Sequence, residues 1–270
     1  MLMLKEDQIP EKYRAVIEEQ ISVYKLKRSI TQMNSIPDTP KIPIEKQTHW
    51  LKIPDVICVF VDMLGSTHLS ASLYDSSTAG AYQLFTGTAV RLFSEFESPY
   101  IDVRGDGAFA LFDSDQPYRA LAAAVTFKTF SAEEFVPRIN KATDVEVGCH
   151  IGIDQKTVLV RKVGFKRYRG RSDRQNEVWA GKPVNMAAKL AALTSDGELL
   201  ASDRFFANIT SKLATHSCGC PDGDKVALWK KVDVSENVAL DFDKAYRLGS
   251  YWCKKHGAQY CTDILALDDE

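Results

Sequence analysis

The middle of the chain alternates between short apolar runs and stripes of apolar residues at helical spacing. Residues 56–61 are mostly β-branched or aromatic and show no helical period, which predicts a buried strand. A hairpin over 100–104 and 108–112 and a helix over 117–130 are predicted further on. Between them, a helix is predicted from Ser66 to about Phe96, with this apolar stripe: Leu69, Leu73, Leu84, Phe85, Ala89, Leu92, Phe93 and Phe96.

Alternating apolar positions predict another strand over 145–153, with 157–163 as its hairpin partner. A strand near 198–202 and a helix near 204–213 complete the unit. The resulting order, β-α-β-β-α-β, predicts an α+β fold of the ferredoxin-like, split βαβ type.

The two ends of the chain differ from this unit. Residues 8–34 carry apolar positions at helical spacing and predict an amphipathic helix or a pair of helices, while prolines at 37, 40, 43 and 54 predict a linker. The pattern leaves open whether this arm packs on its own core, on a second subunit or on a sensor. We therefore predict an arm and linker over 1–54, a central domain over 55–212 and an extension over 213–270.

Composition excludes some classes of protein. The 270 residues are 45% hydrophobic and 26% charged, which is typical of a soluble globular chain. A net charge of -2 gives no basis for nonspecific nucleic-acid binding. No apolar window predicts a transmembrane helix, and the acidic start does not fit a signal peptide, so we expect a cytoplasmic protein without a membrane partner.

Candidate chemistry lies where two predicted strands end. Asp62 follows the apolar run, Gly65 permits a tight turn, and Ser66 or Thr67 can cap the next helix, which together favour a phosphate site. Asp106 stands between two glycines at the tip of the predicted hairpin. Either motif alone is more often a turn. Two carboxylates on neighbouring strand ends, however, would hold two hard cations that clamp a triphosphate.

Three motifs in order carry a resemblance to a known family. They are Phe-x-Asp-x-x-Gly-Ser-Thr over 60–67, Gly-Asp-Gly over 105–107 and Gly-x-x-Val-Asn-x-Ala-Ala-x-Leu over 181–190. The stretch from about 55 to 212 resembles the catalytic domain of class III nucleotidyl cyclases.

The resemblance implies a role for each matching residue. Asp62 and Asp106 would hold two Mg²⁺ or Mn²⁺ ions that activate the ribose 3′-hydroxyl and grip the phosphates of a nucleoside triphosphate. Backbone amides of Leu64, Gly65, Ser66 and Thr67 would cradle the phosphates. Asn185 would orient the ribose. The family also implies a head-to-tail homodimer, in which the aspartates come from one subunit and Asn185 from the other.

The chain departs from the family pattern in the residue that stabilises the transition state. Lys189 stands where the family usually has an arginine, and lysine keeps the charge but loses the bidentate fork. The basic loop over 166–174 offers substitutes, although a charge run of this kind is as often a solvated surface. The candidate arginines are Arg167, Arg169, Arg171 and Arg174.

The residues that usually read a purine base are also missing. Asp102 and the pair Glu177-Val178 occupy the corresponding positions. Strand alternation puts Tyr100, Asp102 and Arg104 on one face, so that Tyr100 could stack on a small base and Arg104 could donate to a pyrimidine carbonyl. The alternative is that Tyr100 packs in the core and Arg104 pairs with a carboxylate.

This altered pocket resembles the pyrimidine cyclases of the bacterial Pycsar anti-phage systems. That resemblance implies a cyclic UMP or cyclic CMP product, with UTP favoured over CTP as substrate, and a separately encoded effector that senses the product. Two alternatives stay open. One is an adenylate cyclase with an unusual base pocket. The other is a non-catalytic nucleotide-binding module, for which Lys189 is the warning sign and the two retained aspartates are the counterargument.

The extension holds a group of soft metal ligands. Cys218, Cys220, Cys253, His256 and Cys261 would supply a tetrahedral structural zinc, and the preferred set is Cys218 or Cys220 with Cys253, His256 and Cys261. The alternative is a tail with free cysteines. Cys58 and Cys149, in contrast, lie in apolar runs and are predicted to be core residues.

Overall fold

The structure is a computed structural model that describes residues 8–72 and 74–269. Leu73, a member of the predicted helical stripe, lies outside the described residues. The strands are β1 (Ser29–Gln32), β2 (His49–Leu64), β3 (Tyr100–Arg104), β4 (Gly107–Phe112), β5 (Gly148–Gly164), β6 (Gln175–Gly181), β7 (Leu199–Ser202), β8 (Trp229–Asp233) and β9 (Lys244–Leu248).

The helices surround this sheet and its extension. They are α1 (Glu11–Lys25), α2 (Ser66–Ser72), α3 (Asp75–Glu95), α4 (Pro117–Phe130), α5 (Val136–Ala142), α6 (Lys182–Ala191), α7 (Asp203–Phe206), α8 (Lys212–Thr215) and α9 (Gly257–Leu265). Short 3₁₀ helices occupy Thr39–Lys41 and Ala266–Asp268, and Ser131–Phe135 forms a π-helical turn. Within the described ranges, no helix is long and apolar enough to cross a membrane.

The centre of the sheet has the ferredoxin-like strand order. The sheet runs β3-β4-β2-β5-β7-β9-β8, and β2 is antiparallel to both of its central neighbours, β4 and β5. Helices α2 and α3 connect β2 to β3, and helices α4 and α5 connect β4 to β5. The predicted α+β, split βαβ fold is therefore confirmed, and β7, β9 and β8 extend the sheet beyond it.

Strand alternation divides the sheet into two differently covered faces. Ile57, Val59, Val61 and Met63 of β2 belong to the main core with α3 and α4. Val56, Cys58 and Phe60 point to the other face, where they pack with Trp179 of β6 and Ala187 of α6. Asp62 follows the second set by its period of two and therefore shares the face that carries β6 and α6.

The two longest strands correct the predicted boundaries. β2 begins at His49 and passes through Pro54, because the register shifts between Ile53 and Val56 and a bulge needs no N–H from proline. β5 is one strand rather than a hairpin over 145–153 and 157–163. Residues 154–156 stay extended because they pair with residues 56–58 of β2. The division of the chain at residues 54 and 212 stays a prediction.

The predicted helices also divide differently. The single helix predicted over 66–96 is two helices, because Tyr74 is extended (ψ 147°) and caps the start of α3. The helix predicted over 204–213 is likewise the separate turns α7 and α8. In the arm, helix α1 ends at Lys25, and Ile30 lies in β1, which pairs with the edge of β2. Helix α1 has no buried residue, so within the described chain it contributes no side chain to the core.

Candidate active site

Asp62 lies near the end of β2, between the two strands that flank it. Its register partners are Gly107 on β4 and His150 on β5. A Cβ on Gly107 would stand 2.6 Å from Asp62 Oδ1 and 3.0 Å from the carbonyl oxygen of Val61. Glycine at this position therefore leaves room for the Asp62 carboxylate to lie against β4.

The turn after β2 depends on Gly65. Its φ is +82°, which favours glycine, and a Cβ there would meet the carbonyl oxygen of Glu146 at 2.2 Å. Helix α2 begins at the next residue, Ser66, which is buried, while Thr67 is exposed. The predicted strand, turn and helix start are all found at this place.

Asp106 occupies the tip of the β3–β4 hairpin beside Asp62. Arg104 and Gly107 are register partners, so Gly105 and Asp106 form a two-residue turn with positive φ at Gly105. Burial raises the pKa of Asp62, and the Asp106 charge raises it further, whereas His150 and the N–H of Met63 lower it. Two half-buried carboxylates that repel each other are a donor set that fits hard divalent cations.

The sequence-predicted base contacts have partners within the chain. The Tyr100 ring centroid lies 4.6 Å from that of Trp179 and 6.1 Å from that of Phe109. Burial raises the pKa of Tyr100 to about 12, so its hydroxyl keeps a proton to donate. Arg104 pairs with Asp102 at 2.5 Å, and the Arg104 side chain remains 58% exposed. The Tyr100 ring thus packs against Trp179 and Phe109, while the Arg104 guanidinium stays accessible to a ligand.

Asn185 and Lys189 lie one turn apart on α6. This helix lies close to the sheet at Gly152, where a Cβ would stand 1.9 Å from the carbonyl oxygen of Ala187. Asn185 is exposed, and Lys189 Nζ donates to the carbonyl oxygen of Ala239 at 2.6 Å. The residue in the arginine position of the family is therefore held by the loop between β8 and β9.

The same β8–β9 loop is anchored to the domain by ion pairs. Asp241 lies 2.6 Å from Lys182 Nζ, 3.3 Å from Lys156 Nζ and 3.0 Å from Arg204. Burial alone would raise the pKa of Asp241, but hydrogen bonds from Arg204 and Lys182 hold it well below its usual range. Arg204 also makes a two-pronged pair with the fully buried Asp154 on β5. The extension therefore contacts the start of α6 directly.

The basic loop lies far from Asp62 in the same chain. His150, opposite Asp62, stands near the start of the 17-residue strand β5, and the loop follows its last residue, Gly164. The strand between them spans roughly 40 Å. Arg169 is exposed in this loop, with positive φ and its guanidinium over the Tyr168 ring at 5.2 Å. Within one chain it is not brought to the aspartates.

The cysteine cluster forms with a different membership from the preferred set. Ligand atoms of Cys218, Cys220, Cys253 and His256 all lie within 4.8 Å of one another, so both Cys218 and Cys220 belong to it. Cys261 does not. It lies on α9, and its half-buried side chain faces the main core because α9 packs against α4.

Three further residues belong to the site region and are not predicted from the sequence: His150, Trp179 and Asp241. His150 and Trp179 reach Asp62 and Tyr100 only through strand register and the position of β6, which a single sequence does not give. Asp241 is one acidic residue in a polar stretch, and its three cationic partners are distant in sequence. The alternation around Cys149 and Ile151 could have assigned His150 to the face of Asp62, had the pairing been known.

The chain is similar to known proteins in sequence and in structure. No protein-family model matches the chain. The sequence is similar to the uridylate cyclase of Propioniciclava tarda, with 39% identity over 83% of this chain and 73% of the relative. It is also similar to the uridylate cyclase of Micromonospora echinofusca, with 35% identity over 84% of this chain and 74% of the relative.

Solved structures agree on the fold. The adenylyl cyclase CyaB from P. aeruginosa aligns with a TM-score of 0.55 and 16% identity over 74% of this chain and 95% of its own. The guanylate cyclase domain of RhGC from Catenaria anguillulae, solved in complex with GTP, aligns with a TM-score of 0.58 and 14% identity over 74% of this chain and 98% of its own. The chain thus has the fold of adenylyl and guanylyl cyclase domains, it is a nucleotidyl cyclase, and it belongs to the family of the uridylate cyclases.

Proposed function

We propose that the chain converts UTP, and CTP less well, to the 3′,5′-cyclic monophosphate and pyrophosphate. The observation that carries this proposal is the pair Asp62 and Asp106 at neighbouring strand ends, where Gly107 leaves room for the Asp62 carboxylate. The base preference is supported by Asp102 and Glu177 at the purine-reading positions and by relatives named uridylate cyclase.

The reaction requires groups that orient and neutralise the triphosphate. The ribose 3′-oxygen bonds to the α-phosphorus, the bond from that phosphorus to the bridging oxygen breaks, pyrophosphate leaves, and the hydroxyl proton passes to solvent. Asp62 and Asp106 would hold two Mg²⁺ or Mn²⁺ ions, which supply Lewis-acid stabilisation of the hydroxyl and phosphate oxygens when bound. The amides of Leu64, Gly65, Ser66 and Thr67 would donate to the phosphates.

The base would lie against the face formed by Tyr100, Asp102 and Arg104. One terminal nitrogen of the Arg104 guanidinium pairs with Asp102, and the other N–H groups can donate to a uracil carbonyl. Tyr100 is fixed by Trp179 and offers a protonated hydroxyl. A pyrimidine is smaller than a purine, so we expect the packed rings of Tyr100 and Trp179 to favour the smaller base.

We further propose a homodimer with two composite sites, in which Asn185 and Lys189 of one subunit serve the aspartates of the other. Asn185 is exposed on α6. Helix α1 leaves apolar residues such as Tyr13, Val16 and Ile21 exposed by 57%, 56% and 42%, as expected for a surface that a second copy covers. Arg169, distant within one chain, could then reach the partner's site.

The product would act as a second messenger in anti-phage defence in the cytoplasm, through a separate effector that binds the cyclic nucleotide. This role follows from the resemblance to the Pycsar cyclases. The chain would make only the cyclic nucleotide, so the identity of that nucleotide would decide which effector responds.

A turnover assay with separate nucleotides tests the proposal. Purified protein with Mn²⁺ is incubated with UTP, CTP, ATP or GTP, and products are resolved by mass, with Asp106→Ala as the inactive control. Cyclic UMP as the main product supports the proposal. Cyclic AMP alone would favour the adenylate cyclase alternative, and no product from a folded dimer would favour a nucleotide-binding module. Omitting the divalent cation tests its requirement in the same assay.

A further inference from the structure

A second group of metal-ligand side chains converges in the C-terminal extension. Cys218 and Cys220 lie in the segment after α8, and Cys253 and His256 lie between β9 and α9. His256 Nδ1 is 3.2 Å from Cys220 Sγ and 4.0 Å from Cys253 Sγ. All four ligand atoms lie within 4.8 Å of one another, and the cysteines are free rather than disulfide-bonded.

These separations are close to those between the ligands of a tetrahedral zinc. Bond lengths of about 2.3 Å to sulfur and about 2.0 Å to nitrogen give ligand–ligand edges of roughly 3.5–3.8 Å for three sulfurs and one nitrogen. A disulfide would instead bring two sulfurs to about 2.05 Å and leave the histidine unused. Three sulfurs and one nitrogen from two separate segments thus form a complete donor set.

A tight turn joins two of the four side chains. The N–H of Gly257 donates to the Cys253 carbonyl oxygen at 2.6 Å. This turn holds Cys253 and His256, a Cys-x-x-His pair, on the same side of the cluster.

We propose that Cys218, Cys220, Cys253 and His256 bind one structural Zn²⁺. All four coordination positions come from protein side chains, so the site is closed and offers no position for a reacting water. Binding releases the protons of the three thiols and requires neutral His256 to coordinate through Nδ1. The site is separate from Asp62 and Asp106 and does not depend on the proposed substrate.

The position of the site indicates what the ion would do. It joins the two ends of the segment that contains β8 and β9. Strand β9 pairs with β7, and the loop between β8 and β9 holds Lys189 through Ala239 and Lys182 through Asp241. The zinc therefore closes a loop of chain that supports α6. Because the ion binds the folded cluster rather than the unfolded chain, its binding free energy adds to the stability of this region.

The experiment measures zinc in the full chain and in matched variants. Protein is purified, dialysed without added metal and analysed by elemental mass spectrometry. We expect one zinc per chain in the unmodified protein, in Cys261→Ser and in Asp62→Ala, and near-complete loss in Cys253→Ser and His256→Ala. Cys261 is the matched control because it lies nearby on α9 but outside the cluster. Zinc-free unmodified protein, or equal loss in Cys261→Ser, would overturn the proposal.

A second measurement uses only the unmodified chain, in case the variants fail to fold. Zinc is exchanged for Co²⁺, and the optical spectrum is recorded. Intense tetrahedral bands with a thiolate charge-transfer absorption are expected, together with lower reactivity of three thiols in the metal-bound protein. A weak octahedral spectrum, or thiols equally reactive with and without the metal, would contradict the assignment.

Discussion

Asp62 on β2 and Gly107 on β4 are register partners, and a methyl group on Gly107 would stand 2.6 Å from Asp62 Oδ1. Such a contact is far inside ordinary van der Waals distance, and the atoms behind it belong to the β2 backbone. The absence of a side chain at position 107 is thus part of the metal-binding geometry proposed for Asp62.

Gly107→Ala is expected to lower cyclase activity by about 100-fold, because the new methyl group would displace the Asp62 carboxylate from its position. Gly87→Ala on α3 is the matched control, since a Cβ there has no atom within 4 Å and alanine favours a helix. Steady-state turnover of UTP and circular dichroism are compared for both variants. Full activity in Gly107→Ala would contradict the proposal that Asp62 needs glycine at position 107 to bind a metal ion.

The sequence predicted the parts of the fold and the site that rest on local pattern. The apolar run before Asp62, the glycine turn at Gly65 and helix α4 from Pro117 are all found where predicted. The hairpin predicted over 145–153 and 157–163 is wrong. Aspartate is a common turn residue, but the Asp154 carboxylate is buried against Arg204 in the middle of β5. Pairing partners at a distance, such as His150 for Asp62 or Ala239 for Lys189, leave no local signal.

The proposed dimer predicts complementation between two inactive variants. Asp62→Ala destroys the metal side of its own site, and Asn185→Ala destroys the ribose side that it lends to the partner. Mixed dimers then contain one site with both defects and one intact site. We expect each variant alone to be inactive and a co-expressed mixture to recover about a quarter of normal activity, by random pairing of chains.

A mixture of Asp62→Ala with Asp106→Ala serves as the control, because both defects then lie on the same side of the site and no intact site can form. Recovery in this control would exclude the shared arrangement. No recovery with Asn185→Ala, despite mixed dimers detected by affinity-tag capture, would mean that each chain uses its own asparagine.

Lys189 is predicted to act on the transition state rather than only on its loop. Lys189→Met should lower kcat by about 100-fold with little change in KM, because a charge that stabilises the leaving phosphates is lost. Lys182→Met is the matched control on the same helix, where Asp241 of the same loop is the partner. If both variants lose activity equally, Lys189 serves to hold the β8–β9 loop.

Arg104 is predicted to determine base preference. Arg104→Ala should raise KM for UTP by about 10-fold, which corresponds to the loss of roughly 1.4 kcal/mol of hydrogen bonding. Arg138→Ala is the control, because Arg138 is also exposed and paired with a nearby carboxylate, Glu134, but lies on α5 outside the proposed site. Competition between UTP and ATP measures the preference. An unchanged ratio in Arg104→Ala would remove this residue from the base pocket.

Lys128 predicts a pH dependence of stability that is independent of the active site. Its side chain is fully buried on α4, and Nζ donates to the carbonyl oxygens of Leu248 and Ser250. Burial lowers its pKa to about 8, although the nearby Cys149, Glu198 and Asp196 partly oppose this. The charged amine is therefore less favourable in the folded state than in the unfolded state.

Because the folded pKa lies below the unfolded value of about 10.4, the unfolded chain binds more protons between these two values. The stability of the unmodified protein relative to Lys128→Met should rise through this window, by up to about 3 kcal/mol, and stay level below about pH 8. Urea unfolding at about pH 7 and about pH 10 measures the difference, and other titrating groups cancel because both proteins share them. A pH-independent difference between the two proteins would mean that Lys128 titrates as it does in the unfolded chain.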